Sequence, residues 1–168
     1  MDILEAIRTR RSIRKFEDRA VPRETLERVL RAAMAAPSAK DEQPWRFIAV
    51  TDRATVRKVA AFHPGAEAAK QATAGVLVCH DPALEQIEGY WVQDHAAATQ
   101  NILLSAHALG LGACWIGGHP IVAFEKGFRE LFGLPESLVP VAFVAMGYPA
   151  ETLPARDTYR AERVSWVG

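Results

Sequence analysis

The sequence has no surplus of either charge and few cysteines. Its 168 residues contain 20 basic and 20 acidic side chains, whereas a protein that binds nucleic acid through phosphates usually carries a basic excess. Its two cysteines, Cys79 and Cys114, cannot form a disulfide framework, which favours a reducing, cytoplasmic environment. The composition therefore argues against nucleic acid as a partner and against a disulfide-rich extracellular domain.

Long apolar runs are also absent. No segment approaches 18 uninterrupted apolar residues, so no membrane span is expected. The opening MDILEAIRTRR lacks the apolar run of a signal peptide. The hydrophobic fraction of 49% is typical of a globular protein, and the length suits one domain over residues 1–168.

Hydrophobic periodicity and turn residues predict an alternation of helices and strands. In the second helix, Leu26, Val29, Leu30, Ala33 and Met34 follow the spacing of one apolar face. The helix over 90–110 is apolar on nearly all sides, so it should be central or lie in an interface. Helices are predicted over 1–10, 21–37, 90–110 and 120–133, with helical sequence also between 50 and 74, and strands over 46–50, 74–80, 113–116 and 139–147.

The stretch RTRRSIRKF, residues 8–16, concentrates basic side chains near the N-terminus. If the first helix ends near Arg10, then Arg10, Arg11, Ser12 and Arg14 lie at a helix-to-loop junction. Guanidinium groups and a hydroxyl could converge there on a phosphate. The alternative is a solvated helix end that complements the helix dipole, and spacing alone slightly favours that alternative.

The stretch GLGACWIGG, residues 110–118, contains four glycines. A dinucleotide-binding glycine loop follows a strand and opens a helix, whereas these glycines follow a helix and precede a strand. Gly110 and Gly112 are predicted to form a helix cap and turn. Gly117 and Gly118 either let a ligand approach main-chain N–H groups or form an ordinary turn.

The five histidines have no metal-ligand spacing, so no metal site is expected. We predict structural or solvent-facing roles for all of them. The sequence also lacks a nucleophile elbow and a phosphate-binding P-loop, and no catalytic side chain is assigned. The histidines are His63, His80, His95, His107 and His119.

Taken together and in order, several segments resemble the FMN-dependent nitroreductase family. This resemblance implies an α+β fold with a mixed, mainly antiparallel sheet flanked by helices. It also implies an intertwined homodimer with FMN at two interface sites. The segments are RRSIRKF (10–16), APSAKDEQPW (36–45), HPGAEAAKQATAGVLVC (63–79), residues 91–118, GLPESLVPVAFVAMGYPAE (133–151) and the arginine-containing tail.

The same resemblance implies roles for the basic residues. Arg10 and Ser12 should hold the phosphate and ribityl end of FMN, and Arg11 lies in the same motif. Arg14 matches a basic residue near N1 and O2 of the flavin, where a fixed cation stabilises the anionic reduced ring. Arg156 matches a phosphate contact in the tail.

The remaining implied contacts come from a loop and a strand end. Pro37, Ser38, Ala39 and Asp41 match a loop that reaches FMN from the other subunit. Gly117 and Gly118 match the pair whose amides face flavin N5 and O4. Two positions depart from the family pattern: Asp41 stands where many members have asparagine, and Thr158 stands where a second basic residue is usual.

The implied activity is hydride transfer by a ping-pong mechanism. NADH or NADPH would reduce the flavin and leave, and a nitroaromatic, quinone or similar electron-poor small molecule would then be reduced. Two alternatives stay open. One is the same flavin fold with another acceptor, as in enone reductases, reductive dehalogenases and flavin-degrading enzymes. The other is a flavin-binding regulatory dimer without turnover.

Overall fold

Four antiparallel strands form the central sheet of the computed structural model, which describes residues 1–168. The strand order is β1-β2-β4-β3, and the only parallel pairing is an isolated bridge between Ser12 and Ala113. The predicted α+β class with a mainly antiparallel sheet is therefore confirmed. The strands are β1 Trp45–Val50, β2 Ala74–His80, β3 Gly112–Gly117 and β4 Val139–Gly147, and the helices are α1 Ile3–Thr9, α2 Arg23–Met34, α3 Arg53–Phe62, α4 Trp91–Ala108 and α5 Val122–Phe132.

Alternating side chains along the strands divide the core between the two faces of the sheet. In β2, Val76 and Val78 pack with residues of α2 and α4, whereas Leu77 and Cys79 pack with residues of α3 and α5. Successive strand residues point to opposite faces. A strand that is apolar at almost every position therefore has to be covered on both sides, which is why β2 is buried along its whole length.

Helix α4 lies against α2 and the sheet, as its apolar circumference predicts. Its inward side buries Ala98, Ile102 and Ala106. Its outward side contributes Leu104 to an apolar groove of about 410 Å³ that α1 and α2 complete. The helix ends before Gly110, which has a φ of +78°, as a glycine cap requires. Neither α4 nor any other helix is both long and apolar enough to cross a lipid bilayer.

Two residues lie elsewhere than the sequence pattern predicts. Met34 is 51% exposed, because the buried stripe of α2 follows Leu26, Val29 and Ala33 and leaves Met34 at its margin. Gly112 is the first residue of β3 and not part of the preceding turn. A Cβ atom at Gly112 would lie 2.7 Å from Cγ2 of Ile13, so this glycine permits close packing of another segment.

A second glycine gives a test of core packing. A Cβ atom at Gly75 would lie 2.1 Å from Cζ of Phe143, and both residues are fully or nearly fully buried. We expect Gly75→Ala to lower the free energy of unfolding by about 1–3 kcal/mol through overpacking, measured by urea denaturation. Gly117→Ala is the matched control, because its Cβ would meet no atom within 4 Å. Equal stability of the two variants would contradict this account.

Candidate functional site

The basic segment 10–16 lies along the outer edge of β3. The amide of Ile13 donates to the carbonyl oxygen of Ala113 at 3.1 Å. Because β3 is an edge strand, its outward carbonyl groups have no strand partner and need another donor. The close approach at Gly112 and this hydrogen bond fix the backbone of the segment, so its side chains start from defined positions.

Glu151 holds the other side of the same segment. Its Oε1 atom accepts hydrogen bonds from the amides of Arg14 at 2.6 Å and Lys15 at 3.1 Å. The hydrogen bond from the Arg14 amide is the main cause that lowers the pKa of the Glu151 carboxyl. The sequence does not predict this role for Glu151, since an acid four residues after the apolar run 139–147 has no distinctive spacing. The carboxylate positions backbone inside the basic cluster.

One cavity of about 550 Å³ joins the basic segment to the tail. It brings together five predicted residues, Arg10, Arg11, Ser12, Arg14 and Arg156. Arg8 lines the cavity too, because the last turn of α1 leads directly into the junction. With five arginines and one acid in its lining, the cavity is suited to an anion. The other lining residues are Ile7, Asp157, Thr158 and Tyr159.

The arginine side chains differ in how they are bonded. Nη1 of Arg11 donates to the carbonyl oxygen of Pro154, and Nη1 of Arg14 reaches the carbonyl oxygen of Ser12 at 3.4 Å. The Nε atom of Arg10 is buried and has no hydrogen-bond partner within the chain. A buried donor without a partner usually marks a missing ligand or water. An oxyanion such as phosphate would satisfy it.

The predicted loop residues Pro37, Ser38, Ala39 and Asp41 lie apart from this cavity. Ala39–Asp41 form a tight turn, in which Asp41 has a φ of 54°. Oγ of Ser38 accepts a hydrogen bond from the amide of Gln43 at 2.9 Å. Positive φ angles in residues other than glycine are costly and cluster at functional sites. The loop therefore has a specific, maintained shape, and it does not line the basic cavity.

Two buried acids hold this loop in place. Oδ1 of Asp94, in the first turn of α4, accepts a hydrogen bond from the amide of Ala39 at 3.2 Å. Oε2 of Glu42 accepts from the amides of Gln86 at 2.6 Å and Ile87 at 3.2 Å. Burial raises the pKa of Asp94, and the charge of Glu42 raises it further. The loop is thus tied to α4 and to the segment preceding it.

The predicted pair Gly117 and Gly118 divides into two roles. The amide of Gly118 donates to the carbonyl oxygen of Val141 at 2.9 Å, and a Cβ there would lie 3.0 Å from the carbonyl oxygens of Pro140 and Val141. Hydrogen bonds in an antiparallel ladder alternate along the strand, so the amide of Gly117 points to the outer edge. Gly118 permits close contact with β4, whereas a Cβ atom at Gly117 would meet no atom within 4 Å.

The comparisons with known proteins agree on one family. A sequence model of the nitroreductase family matches residues 7–86 and 68–148. A protein of Methanothermobacter thermautotrophicus, named for an inferred NADH dehydrogenase/NAD(P)H nitroreductase activity, is 49% identical over 164 residues. That alignment covers 98% of this chain and 86% of the relative.

Solved structures extend this similarity to the whole fold. A Parabacteroides distasonis protein named for the same inferred activity superposes with a TM-score of 0.93 at 35% identity, over 99% of this chain and 98% of its own. A Desulfovibrio desulfuricans protein classed as a nitroreductase was solved with FMN bound. It superposes with a TM-score of 0.85 at 32% identity, over 100% of this chain and 98% of its own.

The clamp formed by Glu151 predicts a pH-dependent stability difference. A carboxyl whose pKa is lowered by folding stabilises the fold above its ordinary value of 4.5, and that stabilisation is lost as the pH falls through the lowered value. We expect Glu151→Gln to be less stable than the wild-type chain at pH 7, with a difference that shrinks at pH values well below 4.5.

Urea unfolding of both proteins across this pH range measures the difference. Other carboxyls with a lowered pKa, such as Asp52 and Asp81, are present in both proteins and cancel. Glu136→Gln, which removes an exposed carboxylate, is the control. A stability difference that stays constant with pH would show that the Glu151 carboxylate does not hold the segment.

Proposed function

The chain belongs to the nitroreductase family, and we propose on that premise that it is an FMN-dependent oxidoreductase that uses NADH or NADPH. The observation that carries the proposal is the arginine-lined cavity, in which the buried Nε of Arg10 lacks a partner. The acceptor would be a nitroaromatic, a quinone or a similar flat, electron-poor molecule. The nucleotide and the acceptor would occupy the site in turn, which is a ping-pong order.

The residues of the cavity fit the phosphate end of FMN. A phosphate dianion needs several positive donors, and Arg10, Ser12 and Arg156 supply guanidinium groups and a hydroxyl to the cavity lining. Thr158 also lines the cavity and offers a hydroxyl in place of the second basic residue usual in the family. Arg160 does not line it, and its Nη1 donates to the carbonyl oxygen of Tyr159. We therefore assign the phosphate to Arg10, Ser12 and Arg156.

The ring end would lie toward Arg14 and Gly117. When bound, FMN supplies the chemistry, because its ring takes a hydride from the nicotinamide and passes two electrons to the second substrate. Arg14 would present positive charge to the electron-rich ring, and Gly117 would present its outward amide. Both groups act by fixed electrostatics, which suits a reaction that moves charge and needs no protein nucleophile.

The two cysteines support a mechanism without covalent catalysis. Burial raises the pKa of the Cys79 thiol to about 12. Burial also raises the pKa of the Cys114 thiol. A cysteine nucleophile reacts as the thiolate, which forms readily only where the pKa is lowered. Both thiols therefore stay protonated at neutral pH, and no other side chain is assigned as a catalytic residue.

We further propose that the site is completed by a second copy of the chain. The loop 37–41 lies outside the basic cavity of its own chain, and the partner's copy would bring it to the ring. Apolar surface supports this arrangement: Ile3, Leu4 and Ile7 of α1 are more than half exposed, beside the groove that α1, α2 and α4 form. A contiguous apolar surface of this kind usually marks a protein interface.

The dimer proposal predicts that a charge in the groove separates the subunits. We expect the wild-type protein to have twice the chain mass of 18.5 kDa, measured by light scattering after size-exclusion chromatography. Ile3→Lys should shift the population toward monomer and weaken FMN binding together. Ile3 is 63% exposed, so the fold itself should survive. Val122→Lys on α5 is the control, since Val122 is 77% exposed on the other side of the sheet. A monomeric wild-type protein would refute the dimer.

The two arginine assignments predict different kinetic effects. Arg10→Ala should raise the dissociation constant of FMN roughly 10- to 100-fold, because one charge-assisted phosphate contact is lost. Arg14→Ala should retain most FMN affinity but slow anaerobic reduction by NADH or NADPH about 10-fold or more, because a charge beside the ring is lost. Fluorescence titration and stopped-flow absorbance measure these quantities.

Arg23→Ala is the control for general charge loss, because the Arg23 side chain is 85% exposed in a surface ion pair with Glu27. Equal behaviour of the Arg10 and Arg14 variants would refute the division of roles. A wild-type protein that stays colourless after incubation with FMN would overturn the proposed function. Turnover with a panel of nitroaromatic, quinone, enone and halogenated acceptors then identifies the acceptor class.

A further inference from the structure

We propose that His63 is a positioning residue for the hydride-transfer reaction, because it binds the Gly117 carbonyl group and thereby restrains the backbone of Gly117, so that the outward amide of this residue meets the flavin ring in one orientation. This inference rests on the proposed function. His63 follows α3, and Gly117 ends β3, so the contact joins two distant parts of the chain. The Nε2 atom of His63 lies 2.7 Å from the carbonyl oxygen of Gly117.

The hydrogen bonds of the ring determine its tautomer. The amide of Gly65 can only donate, and it points to Nδ1 of His63 at 3.1 Å, so Nδ1 is unprotonated. The carbonyl oxygen of Gly117 can only accept, so Nε2 carries the proton and donates it. Both ring nitrogens are thus satisfied by a single neutral form. His63 acts here as a fixed hydrogen-bond donor.

Packing holds the ring in this orientation. His63 is 8% exposed, and its ring centroid lies 3.9 Å from that of Phe124. The ring centroid of Phe128 lies 6.4 Å from that of His63. A Cβ atom at Gly65 would lie 3.1 Å from Cε1 of His63, so a glycine at 65 leaves room for the ring. The donor therefore has little freedom to turn away from Gly117.

The other backbone groups of the glycine pair are also occupied. The amide of Gly118 donates to the carbonyl oxygen of Val141 at 2.9 Å, and the carbonyl oxygen of Gly118 accepts from the amide of Ile121 at 3.0 Å. With the Gly117 carbonyl bound to His63, the one remaining group is the Gly117 amide, which faces outward by the alternation of the ladder. The backbone groups of Gly117 and Gly118 are thus hydrogen-bonded within the chain, except the Gly117 amide, which would meet a ligand.

An edge strand explains why a side chain is needed for this task. In an inner strand, a neighbouring strand would accept and donate along both edges and hold the peptide. β3 has β4 on one side only, and residues 10–16 cover its outer edge near Ala113 but not at Gly117. A donor that is already oriented costs no reorganisation when charge moves in the reaction. His63 would provide that orientation through the backbone of Gly117, without contacting the flavin ring itself.

Two variants separate hydrogen bonding from packing. His63→Gln keeps an amide donor near the position of Nε2, whereas His63→Phe keeps the bulk and loses the donor. With FMN-loaded protein under anaerobic conditions, we expect the rate constant for reduction by NADH or NADPH to fall about 10-fold in His63→Phe and to stay near the wild-type value in His63→Gln. A wild-type rate in His63→Phe, or an equal loss in both variants, would overturn the inference.

A second measurement needs no bound flavin. In ¹⁵N-labelled wild-type protein without FMN, the His63 ring should give the chemical shifts of a neutral imidazole protonated at Nε2. The Gly117 amide should give one sharp resonance in the wild-type and His63→Gln proteins and a broadened one in His63→Phe. Protonation at Nδ1 in the wild-type protein would overturn the inference even if the variants fail to fold. Absence of FMN binding by the wild-type protein would instead refute the proposed function.

Discussion

The unpaired outer edge of β3 is the constraint on which the candidate site depends. An edge strand exposes backbone groups that must find partners outside the sheet. Ala113 receives the amide of Ile13, which docks the basic segment, and Gly117 receives the imidazole of His63. Each contact satisfies a backbone carbonyl group of β3. The same contacts position the basic segment and the backbone of Gly117. The arginines and the outward amide of Gly117 are thereby held along one strand edge. The strand therefore sets the positions of these groups relative to one another.

The chain has no net charge, yet positive charge is concentrated in the cavity. The five arginines of the cavity face a single acidic lining residue, Asp157. Another acid beside the basic segment, Glu151, directs its carboxylate to the amides of Arg14 and Lys15. The backbone is thus stabilised by a negative group while the guanidinium groups keep their charge for a ligand. The nearby His107 adds no opposing charge. Burial, together with the charge of Arg10, lowers the pKa of His107, so its ring is neutral at pH 7.

Local sequence patterns predict the helices and strands well. They predict poorly which residues of different helices, strands and loops contact one another. The strand over 139–147 follows from a continuous apolar run, and the end of α4 follows from Gly110, since both signals lie within a few residues. The spacing of Arg10 and Arg14, by contrast, slightly favours a solvated helix end, and only the family resemblance implies an anion site there. Glu151 and His63 could not be predicted, because each acts on a partner that is distant in sequence. Gly112 was misassigned for the same reason: its packing partner, Ile13, belongs to another segment.

The cavity is lined by two stretches that are far apart in the sequence. Residues 7–14 form one wall and residues 156–159 form the other, with the whole sheet between them in sequence. The arginine segment precedes β3, Glu151 and Arg156 in the sequence, so the cavity is incomplete until all of them are present. A chain without residues 156–159 would therefore lack one wall of the cavity even with the four strands and five helices in place.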